Sequence, residues 1–261
     1  MPELPDVEVF REYFQSTALH QEIAGVEILD DRILEGISAG KLREKLAGQS
    51  FADTHRHGKH LFAKLSSQGW LMLHFGMTGY LKYAKNTVEE PSHTRVLLKF
   101  ANGNALAYSC MRLLGKVGWT PEMAEYISHH DLGPDALALD ENQFTELMGQ
   151  KRGMIKSALM DQSHIAGLGN IYVDEILFQA EFHPKRQVPE MSGADFRHIF
   201  GHMREVLNTA VACQVDVDRF PENYLIHYRD PEKQCPKCGA QIQKIKVASR
   251  STYFCPNHQS L

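Results

Sequence analysis

Long apolar runs, abundant cysteine and a strong net charge are all missing from this 261-residue sequence. No run is long enough to cross a membrane, and the acidic, amphipathic start is unlike a signal peptide, so a cytoplasmic protein is expected. Of five cysteines, Cys110 and Cys213 stand alone and are expected to be reduced and buried, while three cluster near the C-terminus. The net charge of −4, taken whole, argues against a nucleic-acid ligand.

The distribution of charge points the other way. Residues 54–121 hold nine Lys and Arg against two acids, Glu89 and Glu90, and residues 233–261 hold five Lys and Arg and no acid. Acidic stretches separate them, since residues 122–148 hold seven acids and no Lys or Arg. The pattern predicts a polyanion-binding cleft with two walls, and ordinary solvated faces are the alternative.

The residue pattern changes character about halfway along the chain. Roughly the first 130 residues favour β-structure headed by one helix, with Ala101–Asn104 as a hairpin turn. Leu132–Asp135 breaks this pattern and is the best domain boundary. Beyond it the pattern is helical. The predicted strands are His60–Leu65, Trp70–Phe75, Arg95–Phe100 and Ala105–Tyr108, and the predicted helices are Glu141–Met148, Met154–Met160, Tyr172–Ala180 and Gly193–Ala212.

The first residues carry a possible nucleophile. Removal of Met1, which precedes a small residue, would leave Pro2 as a free secondary amine with a pKa near ~8. Such an amine can attack a sugar or carbonyl carbon and form a Schiff base, and Glu3 follows at once as an acid/base group. The alternative is that Pro2 is a leader residue without a role.

Three basic or glycine-containing loops could meet a nucleic acid. Lys59 opens a strand and could bind a phosphate, although a lone lysine is often simply exposed. In His74–Gly79, two glycines form a tight turn that could push Met77 outward into a base stack, or Met77 could pack inward. Arg112, in the third loop, could enter the same gap.

Gly167-Leu168-Gly169-Asn170 lies between two helical stretches, with Asn170 placed as an N-cap. A helix N-terminus reached through glycines offers backbone N–H groups to an anion, as in DNA-backbone contacts. A helix-pair turn without a ligand is the alternative.

The C-terminal residues carry the most specific local motif. Cys235-x2-Cys238-x16-Cys255-x2-His258 presents two ligand pairs on short turns, which predicts one structural, tetrahedral zinc. The insert predicts a hairpin with Arg250 at its tip, where an arginine suits a phosphate.

These motifs together resemble the formamidopyrimidine-DNA glycosylase/endonuclease VIII family of base-excision repair enzymes, nearer the formamidopyrimidine branch. The resemblance runs from Pro2-Glu3-Leu4-Pro5 through His74–Gly79, Leu132-Gly133-Pro134 and Gly167–Tyr172 to the zinc motif. It implies an α+β fold of an N-terminal β-sandwich with a catalytic N-terminal helix, then a helix–two-turn–helix domain with a β-hairpin zinc finger. The implied limits are 1–131, 132–228 and 229–261.

The resemblance also implies the activity. A monomer would bind double-stranded DNA containing a damaged base or abasic site, and in the cell would associate with the nucleoid. It would flip out the damaged nucleotide, excise the base through a Pro2 Schiff base with Glu3 assisting, and nick the strand by β,δ-elimination. Lys59 and Arg250 complete the implied catalytic set. The implied DNA-binding residues are His74, Met77, Arg112, Leu114, Asn170 and Lys156.

Several positions depart from the family pattern. Leu114 replaces a phenylalanine, Asp6 replaces a glutamate, and His258 replaces a fourth cysteine. Residues 213–224 are shorter than the usual glycine-rich lid, so 8-oxoguanine, ring-opened purines and oxidised pyrimidines all stay open as substrates. A non-catalytic, zinc-dependent binder of damaged DNA is the competing class, but it has no need of Pro2-Glu3.

Overall fold

The structure is a computed structural model that describes residues 1–85 and 91–261, so Glu89 and Glu90 lie outside the described residues. The chain divides into two compact units, Met1–Pro2 with Asp6–Asp131 and Glu3–Pro5 with Leu132–Leu261. No helix in the described ranges has the length and apolarity needed to cross a membrane.

Two sheets form the first unit, which confirms the β-sandwich. One has the order β2-β9-β5-β4-β3 and the other β1-β7-β8-β6, and every pairing is antiparallel except that of β2 with β9. The strands are β1 Ile23–Ile28, β2 Leu34–Glu35, β3 Phe51–His57, β4 His60–Leu65, β5 Trp70–His74, β6 Gly79–Ala84, β7 Thr94–Phe100, β8 Ala105–Cys110 and β9 Lys116–Thr120. Leu71, Leu98 and Leu106 are among the buried side chains that fill the space between the sheets.

Three helices accompany the sandwich: α1 Leu4–Ala18, α2 Ala39–Leu46 and α3 Met123–His129. The apolar face of α1 packs against the first unit, with the Phe14 ring 4.9 Å from that of Phe51 and the Phe10 ring 4.6 Å from that of Phe75. The sequence predicted β-structure headed by one helix for roughly the first 130 residues, and α2 and α3 show that a single helix was wrong. In α2, Leu42 and Leu46 are one turn apart and both buried.

The second unit is helical around one apolar core, apart from the finger. Its helices are α4 Glu141–Gly149, α5 Ile155–Leu159, α6 Asn170–Gln179 and α7 Gly193–Ala212. Asp140 and Ser192 cap α4 and α7 through reciprocal capping boxes, which explains why both helices begin where the sequence predicts. The core gathers large side chains from each helix, including Phe144, Leu159, Ile176 and Met203.

The C-terminal hairpin consists of β10 Gln243–Val247 and β11 Arg250–Phe254. Ala248 and Ser249 form its turn, both with positive φ, and a small cluster containing Phe178, Leu225 and Ile242 lies beneath it. Cys110 is buried as expected, but Cys213 is only half-buried, because it ends α7 near the surface, and its thiol donates to the Arg219 carbonyl at 3.1 Å.

Candidate functional site

The carboxylate of Glu3 is buried at the N-terminus of α6. Oε1 accepts the Ile171 N–H at 2.9 Å and Oε2 accepts the Tyr172 N–H at 3.2 Å, while only 1% of the residue is exposed. The first turn of a helix carries free N–H groups and a partial positive charge, so an ionised carboxylate is well held there. The anion at this glycine turn is therefore the protein's own Glu3, where the sequence suggested a phosphate.

The glycines of this turn allow Glu3 to approach. A Cβ on Gly169 would lie 2.3 Å from the Glu3 carboxyl carbon, and a Cβ on Gly167 would lie 2.5 Å from a Leu4 methyl. Gly167 also has a φ of +114°. The Leu4 N–H donates to the Gly167 carbonyl at 3.1 Å, which ties the residue after Glu3 to the same turn.

Asn170 differs from its expected role as an N-cap. Gly169 is the N-cap and Asn170 is the first helical residue, because the Asn170 side chain turns to the finger and donates to the Ser251 carbonyl at 3.0 Å. Asn170 therefore connects the start of α6 with the zinc-finger hairpin.

A row of basic side chains crosses the five-stranded sheet of the first unit. His57 pairs with His60, His60 with His74, and His74 with Lys116 in neighbouring strands. The His60 and His74 rings stack with centroids 4.8 Å apart. Burial, followed by repulsion from His74, lowers the pKa of His60 to about 3. Burial, with the Lys59 charge as the next cause, also lowers the pKa of His74, so at neutral pH this ring is a neutral imidazole.

Lys59 is half-buried in the turn of the β3–β4 hairpin, between Gly58 and the first residue of β4. Gly58 has a positive φ of 56°, and its carbonyl accepts from Arg56 at 3.2 Å. Arg56 in turn pairs with Glu8 of α1 at 2.8 Å. The hairpin that presents Lys59 is thus fixed by a charge pair to a helix.

Two turns of the first unit present a joint apolar patch. Met77 is 38% exposed and Leu114 is 49% exposed, so Met77 points outward rather than into the core. The Arg112 N–H donates to the Thr78 hydroxyl at 3.1 Å, and a Cβ on Gly76 would lie 2.4 Å from the Leu114 carbonyl carbon. Packed turns hold Met77 and Leu114 in place, with the exposed Arg112 between them in the chain.

Met111 belongs to the same patch and was missed by the sequence reasoning. It is 54% exposed, the most exposed of the methionine and leucine side chains in these two turns. Its position directly before the candidate wedge residue Arg112 was the available signal.

The four predicted zinc ligands converge. Ligand atoms of Cys235, Cys238, Cys255 and His258 all lie within 4.8 Å of one another, and among the described residues this is the group that could hold a metal. The Cys238 and Cys255 sulfurs are 3.4 Å apart, and the Cys235 sulfur is 3.9 Å from His258 Nδ1. A tetrahedral zinc with Zn–S bonds of about 2.3 Å separates its sulfurs by about 3.8 Å, so the donor set fits zinc.

The finger presents Arg250 at the start of β11, exposed beside the turn of the hairpin. The His258 ring lies edge-on to Phe178 of α6 at 4.9 Å, which places the metal ligands on the helical unit. One structural zinc would therefore fix the base of the hairpin that carries Arg250.

Lys156 does not lie on a surface that DNA could reach. It is fully buried, and its ammonium donates to Asp174 Oδ1 at 2.6 Å and to the Thr252 hydroxyl at 2.7 Å. A buried ammonium with two bonded partners cannot also meet a phosphate. The expectation that Lys156 contacts DNA is therefore wrong. Lys156 instead connects α5 with α6 and the finger.

Glu175 is a buried acid that the sequence reasoning missed. Its oxygens accept the N–H groups of Leu225 at 3.0 Å and Ile226 at 2.8 Å, and that of the Gln179 amide at 2.8 Å. Burial raises the pKa of Glu175 to about 7, although these hydrogen bonds oppose the rise. Glu175 anchors the backbone that follows the short segment 213–224.

These features define a class: a two-unit protein whose second unit combines a helical core, a zinc-finger hairpin and a buried acid that directly follows Pro2 in the chain. Models of three domain families match the chain: the formamidopyrimidine-DNA glycosylase N-terminal domain over residues 1–117, its H2TH domain over 132–220, and a zinc finger found in FPG and IleRS over 232–257.

Relatives match over the whole length. The formamidopyrimidine-DNA glycosylase of Pelotomaculum thermopropionicum is 32% identical and all of each chain is covered, and that of Synechocystis sp. is 34% identical with 99% and 98% covered. The crystal structure of the Lactococcus lactis enzyme, non-covalently bound to DNA containing an AP site, is 28% identical with a TM-score of 0.90 and full coverage of both chains. The chain belongs to the formamidopyrimidine-DNA glycosylase family.

Proposed function

We propose that this chain excises oxidised bases from double-stranded DNA as a bifunctional DNA glycosylase and AP lyase, with the Pro2 amine as nucleophile. The main support for this residue assignment is the position of Glu3, which directly follows Pro2 in the chain. Two backbone N–H groups of α6 hold its carboxylate in place. A buried, oriented acid beside an N-terminal amine suits acid/base work on a sugar.

The proposed chemistry proceeds in balanced steps. The Pro2 nitrogen, once Met1 is removed, attacks the sugar C1′, and the bond from C1′ to the damaged base breaks with its electron pair leaving on the base, which takes up a proton. The Glu3 carboxylate takes up the proton that the Pro2 nitrogen loses as it bonds to C1′, and gives this proton to the ring oxygen as the C1′–O4′ bond opens, which leaves an iminium between Pro2 and C1′. Loss of a C2′ proton then expels the 3′ phosphate, and a second elimination expels the 5′ phosphate.

DNA contact is divided among the remaining site residues in this proposal. Lys59 and His74 of the first unit, and Asn170 and Arg250 of the second, bind phosphates. Met77, Arg112 and Leu114 fill the space that the flipped nucleotide leaves, and their shared, fixed patch supports this role. The zinc site supplies rigidity to the hairpin under Arg250 and takes no part in the chemistry.

The preferred lesion follows from the short segment 213–224. Phe220 and Tyr224 are both buried, which leaves few residues free to close over a base, and Asp216 and Asp218 would repel nearby phosphate. Leu114 also stacks less well than phenylalanine. We therefore propose strong nicking of abasic DNA, clear activity on ring-opened purines or saturated pyrimidines, and weaker activity on 8-oxoguanine.

The enzyme acts as a monomer with one structural zinc. The working parts in this proposal are 1–131, 132–228 and 229–261, which carry the nucleophile, the helix–two-turn–helix contacts and the finger. Because the substrate is chromosomal DNA, we place the enzyme at the nucleoid of the cytoplasm when it is bound.

Borohydride trapping on abasic DNA tests the nucleophile. Protein whose intact mass shows loss of Met1 is expected to form a covalent adduct that maps to Pro2. The Pro2→Gly variant is expected to retain DNA binding, while its strand cleavage is severely reduced or gives different products. A verified Met1-retaining preparation with full nicking activity would overturn the mechanism. Tight binding of lesion DNA without any adduct would instead favour the non-catalytic binder.

A further inference from the structure

A buried carboxylate, Asp174, lies one turn into α6 and collects three donors. Oδ1 accepts from Lys156 at 2.6 Å, and Oδ2 accepts from the Arg229 guanidinium at 2.8 Å and from the Tyr253 N–H of β11 at 3.1 Å. The side chains of Asp174 and Lys156 are fully buried, and that of Arg229 is 16% exposed. The proposed chemistry uses none of these groups.

The partners of Asp174 are connected by hydrogen bonds to Arg250, the residue proposed to bind a phosphate. Lys156 also donates to the Thr252 hydroxyl at 2.7 Å, and that hydroxyl donates to the Arg250 carbonyl at 3.2 Å. Arg229 lies over the Tyr253 ring, with the guanidinium carbon 4.9 Å from its centroid. The side chains of Asp174, Lys156 and Arg229, here called the hub, thus hold two consecutive residues of β11 close to Arg250, Thr252 and Tyr253.

The other side of the same helix turn holds the acid. Ile171 and Tyr172, whose N–H groups bind Glu3, come directly before Val173 and Asp174. Burial lowers the pKa of Lys156, and the charges of Asp174 and Glu3 both oppose this effect. Hub and acid therefore share one rigid element and one electrostatic environment.

We propose that Asp174 is a positioning residue that, with Lys156 and Arg229, fixes the hairpin bearing Arg250 against the helix turn that holds Glu3. A general role in stability is the competing explanation. It is weak on physical grounds, because replacing a buried ion pair by apolar residues of similar volume is often neutral for stability. If the hub positions the hairpin, substitutions of Asp174 and Arg250 should have non-additive effects on DNA affinity. A role in stability alone does not predict this coupling. The inference rests on the proposed phosphate contact of Arg250.

A double-mutant cycle in DNA binding separates these explanations. The hub is emptied by Lys156→Met with Asp174→Leu, and a matched control empties the Lys151–Asp161 ion pair of the same unit, 3.1 Å long, by Lys151→Met with Asp161→Leu. Arg250→Ala is then added to wild type, hub variant and control. Affinity for a duplex with a non-cleavable abasic analogue is measured by fluorescence anisotropy across a salt series, with zinc content and melting temperature for every variant.

In wild type and control, Arg250→Ala is expected to weaken binding about tenfold and to reduce the salt slope by about one. In the hub variant it is expected to weaken binding by less than about twofold, because Arg250 is already displaced. Rescue of the coupling by Lys156→Met with Asp174→Asn, which restores an acceptor for Tyr253 N–H, would add support, and this variant also serves if the first loses zinc or fails to fold.

The outcomes separate cleanly. An equal, roughly tenfold loss in all three backgrounds would overturn the hub inference and leave the proposed function standing. No loss from Arg250→Ala in wild type would overturn the phosphate role of Arg250 in the proposed function, and the positioning role with it.

Discussion

Replacing Gly169 by alanine would force the Glu3 carboxylate away from α6. The new Cβ would lie 2.3 Å from the Glu3 carboxyl carbon and 2.5 Å from Oε1, distances that real Cβ atoms do not show. Gly169 itself has extended backbone, with φ −136° and ψ −168°, which alanine adopts without strain. The substitution therefore acts through this collision alone.

The expected loss follows from the hydrogen bonds broken. Displacing the carboxylate removes the 2.9 Å and 3.2 Å bonds to the Ile171 and Tyr172 N–H groups. Each hydrogen bond to a charged group contributes about 1.5–3 kcal/mol. If about 3 kcal/mol of this orientation is lost at the transition state, base excision slows by a factor on the order of 10².

Single-turnover excision on a ring-opened purine duplex measures the effect, with affinity for an abasic analogue measured alongside. Gly201→Ala is the matched control, since it lies inside α7 with nothing within 4 Å of the added Cβ, and is expected to leave excision unchanged and to stabilise the fold by roughly 0.5–1 kcal/mol. An excision rate for Gly169→Ala within twofold of wild type would show that the α6 anchor does not orient Glu3 for chemistry.

The remaining predictions concern metal, pH and lesion. His258→Ala is expected to lower zinc content below one per chain and to weaken binding to all DNA sequences alike, as measured by metal analysis and anisotropy; normal binding by zinc-free protein would count against the finger's role. The pKa of Glu175, raised to about 7 from the ordinary value of 4.5, gives a stability contribution that is present below pH 4.5 and lost as pH rises to about 7. Glu175→Gln should flatten that part of the profile of melting temperature against pH, and an unchanged profile would refute the assignment. Finally, matched duplexes should give a lower single-turnover rate for 8-oxoguanine than for a ring-opened purine, and the reverse order would refute the lid argument.

The sequence correctly predicted the features that depend on residues close together in the chain, such as the start of α7 and the zinc ligands. Helix α7 begins at Gly193 because the side chains of Ser192 and Asp195 each accept the backbone N–H of the other residue. All of these residues are neighbours in sequence. The zinc ligands follow from spacing, because each knuckle places two of them within four residues. Helix α2 was missed because its apolar face consists of only Leu42 and Leu46, between glycines that suggest turns.

Long-range partners explain two of the errors at the site. A glycine-preceded helix N-terminus predicts an anion, but its identity as Glu3 depends on a residue 168 positions away from Ile171. Lys156 was expected to contact DNA because the family resemblance implied it, and a lysine side chain is ordinarily solvated. Its partners Asp174 and Thr252 lie 18 and 96 positions away, so burial could not be inferred from its neighbours.

The two errors have a common physical origin. In both cases a charge was assigned to external DNA when the fold supplies an internal partner of opposite sign. A carboxylate at a helix N-terminus and an ammonium beside a buried carboxylate each satisfy a group that would otherwise be costly to bury. Both internal pairs converge on the first two turns of α6, through Glu3 with Ile171 and through Lys156 with Asp174. The N-terminus of α6 and the Lys156 ammonium were expected to bind DNA. They instead hold Glu3 and the zinc finger, which act on DNA in our proposal.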